Sequence, residues 1–326
     1  MSGARRLSLF LIGLAVGLPL SALAWRWQDR HSGVIEVHGR MAEEGGWTPD
    51  TLRTSVGVPL RLRLTSDDVV HGFAVGRRGD PPVDVMPGQT TEVELTFEMP
   101  GTYTFYCTRW CGAGHWRMRG TIEVGGGAPP VASLEPPLYV RLGIDIDAPH
   151  LAEPLPEVRP SAARGAEVER RLQGAMPALD LLATSPAEAF LALRASVVLA
   201  GRSDAEVWDV VASLYRQETT ASALTQGAEL YAANCAACHG EGGAGDGVMA
   251  ESLQAAAAQP GHANSPADFT DPQTALGASP ALLHGKILRG GMGTGMPYFG
   301  PILRDDEIWA LVGYLWTFHF DFGDEP

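Results

Sequence analysis

The sequence is short of cysteine and of positive charge. It has four cysteines among 326 residues, and 24 lysines and arginines against 38 aspartates and glutamates, so its formal net charge is -14. Such an acidic chain is not expected to bind nucleic acid. A basic protein partner would be attracted to it, but a solvated acidic surface explains the net charge equally well. Also missing are a nucleophile–base set, a phosphate-binding loop and a paired-carboxylate motif, and we therefore predict no catalytic residue.

Long hydrophobic runs are rare too, and the one that stands out lies at the N-terminus. It extends from Leu7 to Trp25 after two arginines, and in a helix at about 1.5 Å per residue it just spans a hydrocarbon core of about 30 Å. Ala22-Leu-Ala24 resembles a signal-peptidase site, so cleavage is the alternative. The length of the run and the tryptophans at its end favour an uncleaved anchor within residues 1–30. Either interpretation places the remaining chain outside the cytoplasm.

The four cysteines occur as two pairs. Cys107 and Cys111 are separated by three residues, whereas Cys235 and Cys238 are separated by two. Each pair lies inside a motif that can hold a cofactor, and no thiol is left over for a structural disulfide elsewhere. This arithmetic is typical of a metalloprotein and not of a scaffold held together by disulfides.

The first pair belongs to a set of soft metal ligands. His115 and Met118 follow Cys107 and Cys111, and His71 lies upstream at the end of an apolar strand. Thiolate and thioether sulfur favour copper or zinc, but a structural zinc site needs four Cys/His ligands, usually as two C-x2-4-C pairs. The thioether therefore points to copper. A disulfide between the two cysteines is the alternative, and it leaves the placement of the histidines and the methionine unexplained.

This spacing resembles the binuclear CuA site of subunit II of the haem-copper oxidases. The resemblance runs from about Val34 to Val124 and includes Pro87-Gly88 and Gly101-Thr-Tyr103. It implies two copper ions bridged by both thiolates, with two imidazoles, one thioether and one backbone carbonyl as further ligands. The residues so implied are His71, Cys107, Arg109 through its carbonyl oxygen, Cys111, His115 and Met118.

One position departs from the commonest form of this family. The A-family oxidases have Glu at the position of Arg109, and its carboxylate also helps to bind magnesium at the subunit boundary. An arginine cannot do so, and the chain therefore looks closer to the B-family oxidases or to the CuA-type nitric oxide reductases.

The sequence around this site has the pattern of β-strands. Leu60–Leu64 and Thr91–Phe97 alternate apolar and polar residues, and short Gly/Pro turns separate such runs. The pattern predicts a cupredoxin-type β-sandwich over residues 31–125, with His71 and the cysteine loop meeting at one end. Residues 126–165 are rich in proline and are interpreted as a linker.

Residues 166–222 have a helical pattern that echoes a later part of the chain. Ser203–Tyr215 parallels Arg304–Trp316, and both segments contain Asp-x-Glu-[Val/Ile]-Trp. The first copy lacks cysteine and a methionine loop. We therefore interpret residues 166–222 as a haemless relative of the domain that follows, although two amphipathic helices can also look alike by chance.

The second cysteine pair forms the c-type haem attachment motif. Cys235-Ala-Ala-Cys238-His239 predicts two thioether bonds to a single haem and an imidazole ligand to its iron. A thioredoxin-like C-x-x-C is the competing interpretation, and the adjacent histidine argues against it. Residues 223–322 resemble the class I cytochromes c, in which the methionine ligand often precedes proline. This favours Met296 as the sixth ligand over Met292.

These inferences predict a multidomain chain with one N-terminal transmembrane helix, an all-β cupredoxin sandwich and an all-α cytochrome c domain. The resemblance implies a cell-membrane protein with its soluble domains on the periplasmic side. It also implies a non-catalytic electron-transfer subunit of a cytochrome c oxidase. Electrons would pass from an external donor through haem c and CuA to the membrane-embedded subunit I that reduces oxygen. A basic cytochrome c is one candidate for this donor. The alternatives are the same role in a CuA-type nitric oxide reductase, and a free periplasmic electron carrier or copper-delivery protein.

Overall fold

The computed structural model describes residues 33–112, 114–127, 135–172, 176–251, 253, 265–291 and 295–323. Among these residues no helix is both long enough and apolar enough to cross a membrane. The predicted anchor over residues 1–30 lies outside the described residues.

The first half of the described chain is a two-sheet β-sandwich. Its strands are β1 (Val34–Gly39), β2 (Trp47–Thr48), β3 (Thr51–Ser55), β4 (Leu60–Ser66), β5 (His71–Val75), β6 (Val83–Val85), β7 (Thr90–Leu95), β8 (Gly101–Tyr106) and β9 (Arg119–Gly125). One sheet has the order β2-β1-β4-β7 and the other has the order β3-β9-β8-β5-β6. The pairs β1–β4 and β3–β9 are parallel, and the other neighbours are antiparallel.

Alternation in β4 explains how the sandwich forms. Leu60, Leu62 and Leu64 are all buried, whereas Arg61 and Arg63 between them make ion pairs with glutamates on neighbouring strands. Side chains of period two place every leucine on the same face. Buried residues of both sheets join one core cluster, and the predicted β-sandwich is confirmed.

The second half is helical. Its α-helices are α1 (Leu138–Arg141), α2 (Ala162–Arg170), α3 (Pro186–Arg194), α4 (Asp204–Gln217), α5 (Ala221–Asn234), α6 (Ala236–His239), α7 (Pro272–Ala275), α8 (Pro280–Arg289) and α9 (Asp305–Leu315). The sequence starts these helices with local signals. Ser185 and Ser203 each form a capping box with the glutamate three residues later, and proline opens α3 and α8.

Two helix pairs in this half cross in the same way. Gly165 of α2 lies against the backbone of Asp209 in α4, and a Cβ atom there would be 1.9 Å from that carbonyl oxygen. Gly227 of α5 lies against Ala310 of α9, where the same distance would be 2.2 Å. Asp209 and Ala310 occupy the same position in the two echoed segments. The repeated sequence thus coincides with a repeated close approach of two helices.

Part of the predicted linker packs onto the helical half. Ile146 and Ala152 are buried, and the amide of Ala152 donates to the carbonyl of Gln273 over 2.7 Å. Asp147 accepts two hydrogen bonds from the guanidinium of Arg289, at the end of α8. This segment therefore braces the helix that precedes the Met296 loop.

Candidate metal and haem sites

The predicted copper ligands converge at one end of the sandwich. His71 begins β5, and the loop between β8 and β9 carries the other five. The loop is closed at its base by a hydrogen bond from the amide of Cys107 to the carbonyl of Met118, 3.0 Å long. Because β5 and β8 are paired neighbours, His71 lies directly beside the start of this loop.

Distances between the donor atoms are all short. The Sγ atom of Cys107 is 3.9 Å from Cys111 Sγ, 3.8 Å from His71 Nδ1 and 3.2 Å from the carbonyl oxygen of Arg109. Cys111 Sγ is in turn 3.4 Å from His115 Nδ1 and 3.8 Å from Met118 Sδ. The structure thus brings together all six atoms of the predicted ligand set. The two sulfurs are too far apart for a disulfide, whose S–S bond is about 2.05 Å, and both cysteines are free.

The thiol pair is electrostatically coupled. A hydrogen bond from the thiol of Cys111 lowers the pKa of Cys107 to about 3. The same contact, together with burial, raises the pKa of Cys111. The lowered pKa favours the thiolate form of Cys107, and thiolate is the form of cysteine that ligates metals. Two sulfurs, two imidazole nitrogens, a thioether and a carbonyl oxygen form a donor set that suits copper.

Residues outside the predicted set orient His71. Its Nε2 atom is 2.7 Å from Asp68 Oδ1, so its Nδ1 atom faces Cys107. Asp68 is itself held by the amides of Met41 and Val69, each 2.6 Å away. A carboxylate that fixes the second nitrogen of a metal-binding histidine is a common feature of such sites. Asp68 is not among the residues predicted from the sequence, although it stands only three residues before His71 in Asp68-Val-Val-His71.

The side chain of Arg109 points away from the donor atoms. Its guanidinium makes two hydrogen bonds to Asp84, of 2.8 and 3.0 Å. The carbonyl of the same residue faces Cys107. Arg109 can therefore serve a metal through its backbone alone.

The haem attachment motif follows α5. Cys235 and Cys238 are unbonded, and burial raises the pKa of Cys235 to about 12 and also raises that of Cys238. His239 has its Nδ1 atom 3.0 Å from the carbonyl of Ala267 and stacks on Phe269 with ring centroids 4.6 Å apart. Its Nε2 atom is the nitrogen left for an iron, and burial lowers the pKa of this imidazole.

Met296 packs against the same hydrophobic cluster as Cys235. The competing Met292 lies outside the described residues. The donor chemistry of Cys235, Cys238, His239 and Met296 fits a covalently held haem with histidine and methionine ligands.

Some residues of each set line one interdomain cleft. This cleft has a volume of about 310 Å³ and is lined by Cys107, His115 and Met118 from the sandwich and by Cys238 and Pro297 from the helical half. The predicted copper loop and the predicted haem attachment motif are therefore neighbours.

Comparison with known proteins gives two separate family matches. Residues 49–124 match the model of the cytochrome c oxidase subunit II periplasmic domain, and residues 224–319 match that of cytochrome c. A cytochrome c oxidase subunit 2 of Thermus thermophilus is 39% identical over 104 residues, which are 30% of this chain and 76% of the relative. The cytochrome c oxidase subunit 2 of Eremothecium gossypii is 29% identical over 129 residues, which are 35% of this chain and 52% of that relative.

Solved structures also match part of the chain. A heme-copper terminal oxidase dimer has a matching chain with 23% identity and a TM-score of 0.25, covering 37% of this chain and 99% of that one. The periplasmic domain of subunit II of cytochrome oxidase from Bradyrhizobium japonicum has 20% identity and a TM-score of 0.25, covering 28% and 83%.

The sequence matches and the two domains described above agree with each other. The β-sandwich carries the subunit II match, and the helices after Thr220 carry the cytochrome c match. This chain belongs to the cytochrome c oxidase subunit II family, with a cytochrome c domain fused after the subunit II periplasmic domain.

Proposed function

We propose that the chain is the electron-input subunit of a respiratory haem-copper oxidase, related to the B family. It takes electrons from an external reductant and passes them, through one covalent haem c and then a binuclear CuA centre, to a membrane-embedded subunit I that reduces oxygen. The observation that carries this proposal is the single cleft lined by residues of both predicted sites. Two carriers on one chain meet at a high effective concentration.

The chain's own residues prepare each site. The residues that would hold the coppers are His71, Cys107, Cys111, His115, Met118 and the carbonyl of Arg109. Those that would hold the haem are Cys235, Cys238, His239 and Met296. When bound, both groups supply reversible one-electron oxidation and reduction. Burial of both copper thiols excludes water. Hydrogen bonds that His71 donates to the Asp68 carboxylate and His239 donates to the Ala267 carbonyl fix both imidazoles in the orientation that a metal requires.

The domain boundaries proposed for this function are the ones that the sequence predicts. Residues 1–30 anchor the chain, and the soluble part lies on the periplasmic side. Residues 31–125 form the CuA domain, 166–222 form a haemless cytochrome-like unit and 223–322 form the cytochrome c domain. Support for the haemless unit comes from the matched close approaches at Gly165 and Gly227, although the helix that carries Gly165 begins at Ala162, four residues before the predicted start of the unit.

Purification from native membranes tests this proposal. We would place an affinity tag after Pro326, solubilise the membranes mildly and assay the purified material for consumption of oxygen and of nitric oxide. Oxygen turnover with a co-purifying polytopic subunit is the expected result. Nitric oxide turnover with little oxygen turnover would assign the same electron path to a nitric oxide reductase. Neither activity and no partner subunit would leave a free carrier and refute the proposal.

A further inference from the structure

One short segment of the cytochrome domain lies directly on the sandwich. The amide of Arg77 donates to the carbonyl of Ile302 over 2.9 Å. Beside it, Gly76 is in such close contact that a Cβ atom would be 2.3 Å from the carbonyl oxygen of Pro301 and 2.8 Å from Ile302 Cα. Together with Tyr298, Pro301 and Ile302 mark a segment over residues 298–302 that begins two residues after Met296.

Arg119 joins this segment to the copper loop. It is the first residue of β9 and follows Met118 directly, and in the sheet it pairs with Tyr106. Its guanidinium donates to the carbonyl of Tyr298 over 2.8 Å. The side chain is partly buried, and burial lowers the pKa of its guanidinium, which nevertheless stays protonated. Charge-assisted bonds of this kind restrict geometry more strongly than neutral ones.

The contact links the two methionines by a short route. From Met118 the path runs to the adjoining Arg119, crosses one hydrogen bond to Tyr298, and returns through Pro297 to Met296. Tyr106 adds a second contact, because it also packs against the core cluster of the cytochrome domain. The strand that starts at one predicted ligand is thus fastened to the loop that carries the other.

We propose that Arg119 is a positioning residue that holds the Met296 loop against the Met118 strand, so that the two redox sites keep one fixed separation. The inference rests on the proposed function only in taking these methionines as ligands. It implies that the cytochrome domain does not swing between a donor-facing and a copper-facing position during turnover.

Amide hydrogen exchange on the purified full chain with its cofactors tests this inference. Arg77 donates across the interface, whereas the adjacent Gly76 donates to Thr104 inside the sandwich, 2.7 Å away. In Arg119→Met we expect the Arg77 amide to exchange about tenfold faster or more, since a hydrogen bond from a charged group is lost. The Gly76 amide should be unchanged. Arg53→Met, which removes a surface arginine paired with Glu123, should change neither.

A second readout separates positioning from mere stability. After rapid photoreduction of the haem, equilibration of the electron with copper should be slower in Arg119→Met, while the haem and copper absorption spectra stay as in the parent. Unchanged Arg77 exchange together with an unchanged rate would refute the inference. Failure of the oxygen assay would not affect either readout, so the two proposals can fail separately.

If Arg119→Met does not fold, a variant on the sandwich side of the interface tests the same inference. Gly76→Ala requires no left-handed backbone, because Gly76 is not among the glycines with positive φ, but its methyl group would force the Pro301–Ile302 backbone away. It should raise Arg77 exchange and slow equilibration. Gly125→Ala, whose new methyl group would have its nearest neighbour at 3.8 Å, is the matched control. Gly76→Ala with the properties of this control would overturn the inference.

Discussion

At the scale of single residues, the orientation of a predicted ligand is set by residues that are not ligands themselves, and some of these are distant in the sequence. The carboxylate of Asp68 accepts hydrogen bonds from the backbone amides of Met41 and Val69 and also forms one with His71. Behind His71 there is almost no space. A Cβ atom at Gly39 would be 2.9 Å from the Trp47 ring and 3.1 Å from the His71 ring. Position and orientation of the imidazole are thus set from two sides.

Removing the charge of Asp68 should weaken copper binding. We expect Asp68→Asn to bind copper about 10- to 100-fold more weakly, because the neutral amide holds the Nε2 proton of His71 less well. Competition titration against a chelator measures this affinity. Asp67→Asn is the control, since Asp67 pairs with His38 and Arg40 instead. Equal affinities in the two variants would contradict the assigned role.

His284 should make folding sensitive to acid. Its side chain is 3% exposed, its Nδ1 atom has no hydrogen-bond partner among the described residues, and burial lowers the pKa of the ring. Below about pH 6.5 the unfolded chain takes up a proton that the folded chain resists, so stability is lost as the pH falls through that value toward the lowered pKa.

The variant His284→Gln removes this titration but retains a donor toward Asp305, which lies 2.9 Å from His284 Nε2. Its urea midpoint should therefore fall less than that of the parent between about pH 7.5 and about pH 5.5. The same pH dependence in variant and parent would show that another group is responsible.

At the scale of elements, the echoed helices make one structural relation twice. The pairs α2–α4 and α5–α9 each cross at a glycine, and only the second pair belongs to the unit with a haem motif. In the first unit Phe190 and Trp208 stack at 4.6 Å within its core. The same core cluster includes Trp316 and Phe320 from the end of the chain, so the first unit packs directly against the second.

Alanine at either crossing glycine should separate its helix pair. Gly165→Ala and Gly227→Ala each place a methyl group too close to a backbone carbonyl oxygen of the facing helix. Overpacking of this kind lowers the free energy of unfolding by about 1–3 kcal/mol. Urea unfolding followed by circular dichroism measures the loss. Gly242→Ala is the control, because nothing lies within 4 Å of its new methyl group.

The haem spectrum adds a second criterion for these variants. Gly227→Ala should perturb it, whereas Gly165→Ala should not, because the α2–α4 pair lies in the unit that lacks a haem motif. If Gly165→Ala were as stable as the control, the two crossings would not be equivalent, and the proposed repeat would lose its main support.

At the scale of the whole molecule, local patterns were more informative than long-range contacts. The alternation of strand residues and the two cysteine motifs are local features of the sequence. They were therefore sufficient to predict the two domains and to propose the ligand sets. The packing of residues 135–160 against α8 and the bond from Arg119 to Tyr298 join parts that are far apart in the chain. Such contacts leave no periodic signal. The identities of the ligands and the order of electron transfer stay predictions.

Cys107→Ser tests that order. Serine removes one of the two sulfurs that are proposed to bridge the coppers, so the mixed-valence copper signal should disappear, whereas Cys235, Cys238 and His239 are untouched. External reduced cytochrome c should still reduce the haem at the rate of the parent. Thr108→Ser, at the neighbouring position, should keep both signals. If the haem could no longer be reduced in a Cys107→Ser protein with an unaltered haem spectrum, electrons would have to enter at the copper end, because damage to the copper loop alone would then block the haem.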